Sequence, residues 1–173
     1  MPQCCLEPIT SLTTQHIASV LALHRASGVY RDPVFLLCLA SGLLFWIVLF
    51  VAFPPQPLPW ERLWSLPFLS LTIGQPIVEE LFFRGLVQGQ LRRSEWGRRS
   101  FTDISMANLL TSAMFVLAHF LSHSLAWSLL VFIPSLLFGL LRDRFESVYP
   151  SIVLHIFYNA GYFLLTGGLI FQH

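Results

Sequence analysis

Apolar residues gather into five long runs along the chain, separated by polar or proline-rich stretches. Residues 33–53 carry no charge over 21 positions, enough at about 1.5 Å per residue to cross a hydrocarbon core of about 30 Å. A first membrane helix is expected there. The stretch PPQPLPWER follows as a helix break, and Trp60 and Trp64 suit a membrane interface. Residues 63–91 are again apolar, with Gly74 and Pro76 in mid-run. Proline removes a backbone donor and bends a helix, and it also fits a helix's first turn. The second span is therefore expected to be kinked or broken near Pro76. Residues 106–121, 125–141 (with Pro134) and 149–171 (opened by Pro150) supply three more spans. The pattern predicts an all-α fold, a polytopic transmembrane helical bundle of about five spans. Residues 1–32 form a cytoplasmic or interfacial segment, weakly amphipathic over 10–30, and residues 33–173 form the membrane domain.

Composition agrees with that pattern. Hydrophobic residues make up 55% and charged residues 11%, against about 25% charged in an ordinary soluble domain. All ten basic residues are arginine. None forms a stripe interleaved with exposed aromatics, so nucleic acid is not an expected partner. Cys4, Cys5 and Cys38 are odd in number and irregular in spacing, which gives neither a disulfide framework nor a zinc pattern. Cys4 and Cys5 are read as ordinary residues rather than lipidation sites. The thirty mixed residues ahead of the first apolar run do not have a signal-peptide layout.

The arginines also orient the spans. With the N-terminus inside, eight fall in inside segments (25, 31, 92, 93, 98, 99, 142, 144), Arg62 falls outside, and Arg84 lies within the membrane. This is a positive-inside bias. A multi-pass protein of the cell membrane is expected, with its C-terminus outside.

Within the second span, QPIVEELFFRG places Glu79, Glu80 and Arg84 among apolar residues. Each would cost about 2.5–3.5 kcal/mol near a helix centre if left ionised and unpaired, roughly 8–10 kcal/mol in all. Glu80 and Arg84 are four residues apart and share a helix face, so they can pair. Glu79 lies about 100° around the helix and is not consumed by that pair. Depth arithmetic supplies further company. Glu79, Glu80, His119 and Asn159 each fall roughly 17 Å from the inside surface, and His155 roughly 11 Å. Glu79, His119, His155 and Asn159 are expected to meet at one level, in a pocket open to the inside.

In this order the short motifs resemble a known family. EELFFR (79–84) fits Glu-Glu-x-x-x-Arg, FVLAH (115–119) fits Phe-x-x-x-His, and HIFYN (155–159) fits His-x-x-x-Asn. On successive membrane spans they look like the CPBP intramembrane proteases, the CAAX-protease and bacteriocin-processing group. The resemblance covers about residues 75–162 and puts the catalytic core on spans 2, 3 and 5. It implies peptide-bond hydrolysis within or near the membrane. On that reading Glu79 is the candidate general base for a water molecule, and His119 orients the water or relays its proton. His155 and Asn159 point donors at the developing oxyanion, and Arg84 holds Glu80. Glu79 and Glu80 remain exchangeable in these roles.

Metal-free glutamate chemistry is the favoured reading, with no cofactor. The rival is zinc held by Glu79, His119 and His155 with one position left for water; no His-Glu-x-x-His motif is present. Expected partners are the lipid bilayer and a membrane-associated protein or peptide substrate, bearing a C-terminal sorting helix or a leader peptide. Two other classes stay open: a non-catalytic immunity or scaffold protein on the same fold, and a small transporter using the carboxylates and histidines as a proton path. Gly85 and Gly89 form a GxxxG that points to close packing, and His123 is read as a loop residue.

Overall fold

A computed structural model describes residues 17–52 and 59–167. Cys4, Cys5, His16, His173, most of the proline-rich break and the end of the fifth apolar run lie outside the described residues.

Helix α1 spans Pro33–Ala52. Asp32 starts it, its Oδ1 accepting from the Val34 and Phe35 amides at 3.0 and 3.2 Å, which satisfies two otherwise free first-turn donors. The helix is apolar all round. Phe35, Cys38, Gly42 and Leu49 mark its buried stripe, while Leu37, Leu44 and Val51 stand exposed. Such a helix suits a lipid-facing wall.

The second run, expected to be kinked or broken near Pro76, is not broken there. Segments Leu66–Leu69, Ser70–Gly74, Gln75–Glu80, Leu81–Gln88 and Gly89–Leu91 follow one another as a continuous helix, α2, over residues 66–91. Two of them, Ser70–Gly74 and Leu81–Gln88, are π-helical. The wider π turn lets the chain absorb Pro76 without leaving helical geometry; Gly74 and Gln75 both keep right-handed helical angles. Pro76 sits in the first turn of the ordinary α segment between the π turns, a position its ring tolerates.

Helix α3 (Glu95–Arg98) is capped by Ser94. Strands β1 (Ser100–Phe101) and β2 (Ile104–Ser105) pair antiparallel, a small departure from an all-helical chain. Helices α4 (Met106–His119), α5 (Leu125–Leu130), α6 (Phe132–Phe145) and α7 (Tyr149–Thr166) complete the bundle. Serines at 105 and 124 cap α4 and α5, and Gly167 closes α7 at φ 59°, the left-handed conformation in which glycine meets no Cβ penalty. Pro33–Ala52 and the continuous stretch Leu125–Phe145 are each long and apolar enough to cross a membrane; Met106–His119 is shorter.

Phe35 and Cys38 of α1, Phe138 and Leu141 of α6, and Leu154 of α7 form one core. One end of the bundle is polar. Arg144 pairs with Asp32 at 2.8 Å and Arg92 with Asp143 at 2.9 Å. Asp143 also accepts from Ser105 at 2.5 Å and Gln88 at 2.7 Å. Ser147 donates to the His24 carbonyl at 2.7 Å and the Val148 amide to that of Ala22 at 3.2 Å. These contacts bring the starts of α1, α4 and α7 together with the ends of α2 and α6, so these elements alternate in direction. The GxxxG has a specific partner. A Cβ on Gly85 would lie 3.0 Å from the Leu21 carbonyl oxygen, and one on Gly89 3.5 Å from that of Val20. The N-terminal segment thus packs its backbone directly on α2.

Candidate active site

Glu79 and Glu80 end the ordinary α segment of α2, between its two π turns. Neighbouring helix positions point about 100° apart, and the two carboxylates separate accordingly. Glu79 faces a cavity with 18% of its side chain exposed, whereas Glu80 is fully enclosed. Gln75, one turn earlier, donates through Nε2 to Glu79 Oε1 at 2.7 Å and fixes that carboxylate's rotamer.

His155 of α7 stands between the two glutamates. Its Nδ1 lies 2.9 Å from Glu80 Oε1 and its Nε2 3.7 Å from Glu79 Oε2. The Phe138 ring stacks on the imidazole at 4.6 Å, and Phe115 meets it edge-on at 6.1 Å.

Arg84 is wholly buried. Its Nε is 3.5 Å from Glu80 Oε2, but its shortest bonds go elsewhere. Nη2 donates to Ser135 Oγ at 2.5 Å and to the Ser135 carbonyl at 2.8 Å, and Nη1 to Gln88 Oε1 at 3.2 Å. Helical spacing pairs Glu80 with Arg84. The tertiary structure gives Glu80 a closer partner in His155 and makes Arg84 a tie between α2 and α6.

His119 ends α4, and its Nδ1 lies 2.9 Å from the Phe115 carbonyl oxygen. A carbonyl only accepts, so Nδ1 carries the hydrogen and a neutral ring keeps its lone pair on Nε2. Phe115 and His123 flank the ring at 4.4 and 5.5 Å. His123, read from the sequence as a loop residue, also lines the cavity. Burial lowers its pKa, nearby His119 lowers it further, and Glu79 opposes the shift. Asn159, one turn beyond His155, donates through Nδ2 to the Leu71 carbonyl at 3.1 Å.

Glu79, His119, His155 and Asn159 line one cavity of about 300 Å³, with aromatic and aliphatic walls from Phe45, Phe115, Trp127, Leu137 and Tyr158. Its side differs from the sequence expectation. The lining comes from the last turn of α4 (Phe115, His119), the first half and middle of α2 (Leu71, Gln75, Glu79) and the middle and far parts of α7 (His155, Asn159, Tyr162), so the cavity lies toward the half away from the arginine end. At that end Arg84, Gln88 and Asn108 fill the interior, and residues 20–24 pack over it. Depth arithmetic finds a common level but cannot see which half side chains fill.

Among the described residues, no group of three or more His, Cys, Asp or Glu side chains is placed to hold a metal ion. His119 and His155 each engage Nδ1 on a protein oxygen, which leaves Nε2 as the ligand nitrogen of each ring. Gln75, Gln88 and Ser135 are absent from the sequence-derived site. Gln75 was legible as the residue four before Glu79. Ser135 left only the faint signal of a lone hydroxyl beside Pro134 in an apolar run.

Residues 60–161 match the model of the family described as type II CAAX prenyl endopeptidase Rce1-like. No curated protein and no solved structure matches the chain.

Proposed function

The chain belongs to the Rce1-like family of type II CAAX prenyl endopeptidases, a family of membrane proteases, and from that premise we propose that it hydrolyses a peptide bond in or near the membrane by glutamate-type chemistry. A water between Glu79 and His119 is the nucleophile. Glu79 takes its proton, helped by the free Nε2 of His119, and the water oxygen attacks the scissile carbonyl. The carbonyl oxygen becomes an oxyanion, which His155 meets through a protonated Nε2 and Asn159 through the N–H not given to Leu71. Glu79 then returns the proton to the leaving nitrogen as the C–N bond breaks, releasing an amine and a carboxylic acid.

Glu80 and Arg84 touch no reacting atom in this scheme. Glu80 holds His155 by Nδ1, and Arg84 anchors the helix that carries both glutamates. One observation carries the reading: Glu79, His119, His155 and Asn159, from three helices, face a single apolar cavity. Its walls suit an apolar peptide segment, in keeping with a membrane-associated substrate bearing a sorting helix or leader peptide. The protein is proposed to be multi-pass, with the arginine end in the cytoplasm as the charge bias directs.

The test is cleavage by the protein reconstituted in bilayers. The probes are a farnesylated peptide ending in a CAAX tetrapeptide, the same peptide without its lipid, and a peptide with an apolar C-terminal helix. Cleavage of one of them that is lost in Glu79→Ala supports the proposal. Equal cleavage by the variant, or cleavage of none, overturns it.

A further inference from the structure

We propose that Pro76 is a positioning residue for this site: by leaving the Leu71 carbonyl without a helical donor, it sets the orientation of the Asn159 amide. The inference rests on the part given above to Asn159 and adds the residue that orients it.

In the π turn Ser70–Gly74 the Gln75 amide bonds back five residues to the Ser70 carbonyl. Continuing that register, residue 76 would donate to the Leu71 carbonyl. Proline has no N–H, so that carbonyl receives nothing from its own helix. A carbonyl left without a donor within a membrane is costly. Asn159 supplies the missing donor through Nδ2 at 3.1 Å.

The two ends of an asparagine amide differ: the nitrogen donates and the oxygen accepts. A carbonyl facing Asn159 therefore admits one orientation of the amide and rejects its flip. The nitrogen is held toward α2, one helical turn from His155, and Leu71, Glu79, His155 and Asn159 all line the cavity. Had residue 76 a donor, the Leu71 carbonyl would no longer depend on Asn159, and the amide would be held less firmly.

The test compares wild type with Pro76→Ala, which restores the helical donor. Asn108 and Asn159 are the chain's two asparagines, so protein labelled with 15N-asparagine shows two side-chain amide signals. Asn108, whose Nδ2 donates to the Leu136 carbonyl at 2.9 Å, reports the integrity of the fold. The expected result is a shifted, faster-exchanging Asn159 signal with Asn108 unmoved. Cleavage of whichever probe peptide is processed should show kcat reduced about tenfold, a smaller loss than the roughly 10²–10³ of deleting an oxyanion donor. KM should stay within about twofold, and Pro76→Ala/Asn159→Ala should be no slower than Asn159→Ala. An unmoved Asn159 signal, or losses that multiply in the double variant, overturns the proposal. A shifted signal with kcat unchanged upholds the positioning and overturns instead the part given to Asn159 in hydrolysis.

Discussion

Glu80 Oε1 lies 2.9 Å from His155 Nδ1 in a site from which Glu80 is wholly shielded, while its neighbour Glu79 opens on the cavity. Two consecutive glutamates therefore have opposite mutational signatures. Glu80→Ala leaves Arg84 without its carboxylate and His155 without its closest polar partner, and is expected to destabilise by about 3–5 kcal/mol. Glu79→Ala should lower peptide cleavage by roughly 10²–10⁴-fold while leaving the thermal midpoint nearly unchanged. Thermal unfolding and single-turnover cleavage of both variants check the contrast; equal loss of stability in the two would refute the division.

For His119 the nitrogen and the ring are separable. His119→Phe keeps an aromatic ring between Phe115 and His123 but removes the lone pair. It should retain the thermal midpoint of the wild type and lose activity about as fully as His119→Ala, by roughly 10²-fold or more. A Phe variant that cleaves at the wild-type rate would reduce His119 to packing.

Arg84 depends on Ser135 more directly than on Glu80. Ser135→Ala removes its 2.5 Å bond and is expected to cost about 1–3 kcal/mol, the range for stranding a buried donor. Arg84→Lys should be destabilising as well, because an ammonium cannot reach Ser135, Gln88 and Glu80 from one fixed planar fork. Chemical denaturation in detergent measures both.

The seam between α1 and α7 is set by a missing side chain. A Cβ on Gly161 would collide with the Trp46 indole, which already rests on Phe157 at 4.4 Å. Gly161→Ala should cost about 1–3 kcal/mol by overpacking, and adding Trp46→Leu should recover part of that loss. Unfolding midpoints of the single and double variants decide it.

At the arginine end, the hydrogen bond from Arg144 holds the Asp32 carboxyl below its ordinary value of 3.8, helped by the Phe35 and Val34 amides and opposed by burial. A lowered folded value means that this stabilisation is complete above the unfolded value and is lost as pH falls through the folded one. Asp32→Asn should therefore lower stability at neutral pH. The gap between variant and wild type should close only below 3.8. Unfolding midpoints across an acid series test this sign; a gap that widens in acid would refute it.

Much of the site was legible because membrane burial makes charge conspicuous. Glu79, Glu80 and Arg84 stand out in an apolar run, and spacing of one residue against four already separates one glutamate from the ion pair. The positions of His119, His155 and Asn159 follow from helix rise, since 1.5 Å per residue fixes depth once a span's ends are known. The GxxxG announced a close approach, though not that its partner would be the backbone at Val20 and Leu21.

The sequence by itself determined the apolar runs, the polar end marked by arginines and the residues able to do chemistry, because these depend on residue type and one-dimensional spacing. Only the tertiary structure decided which half of the bundle holds the cavity, that His155 rather than Arg84 is the closest partner of Glu80, and that α2 widens into π turns at Pro76 instead of breaking. Each of these depends on side chains and backbone carbonyls from different helices competing for the same few donors, and periodicity along one chain carries no record of that competition.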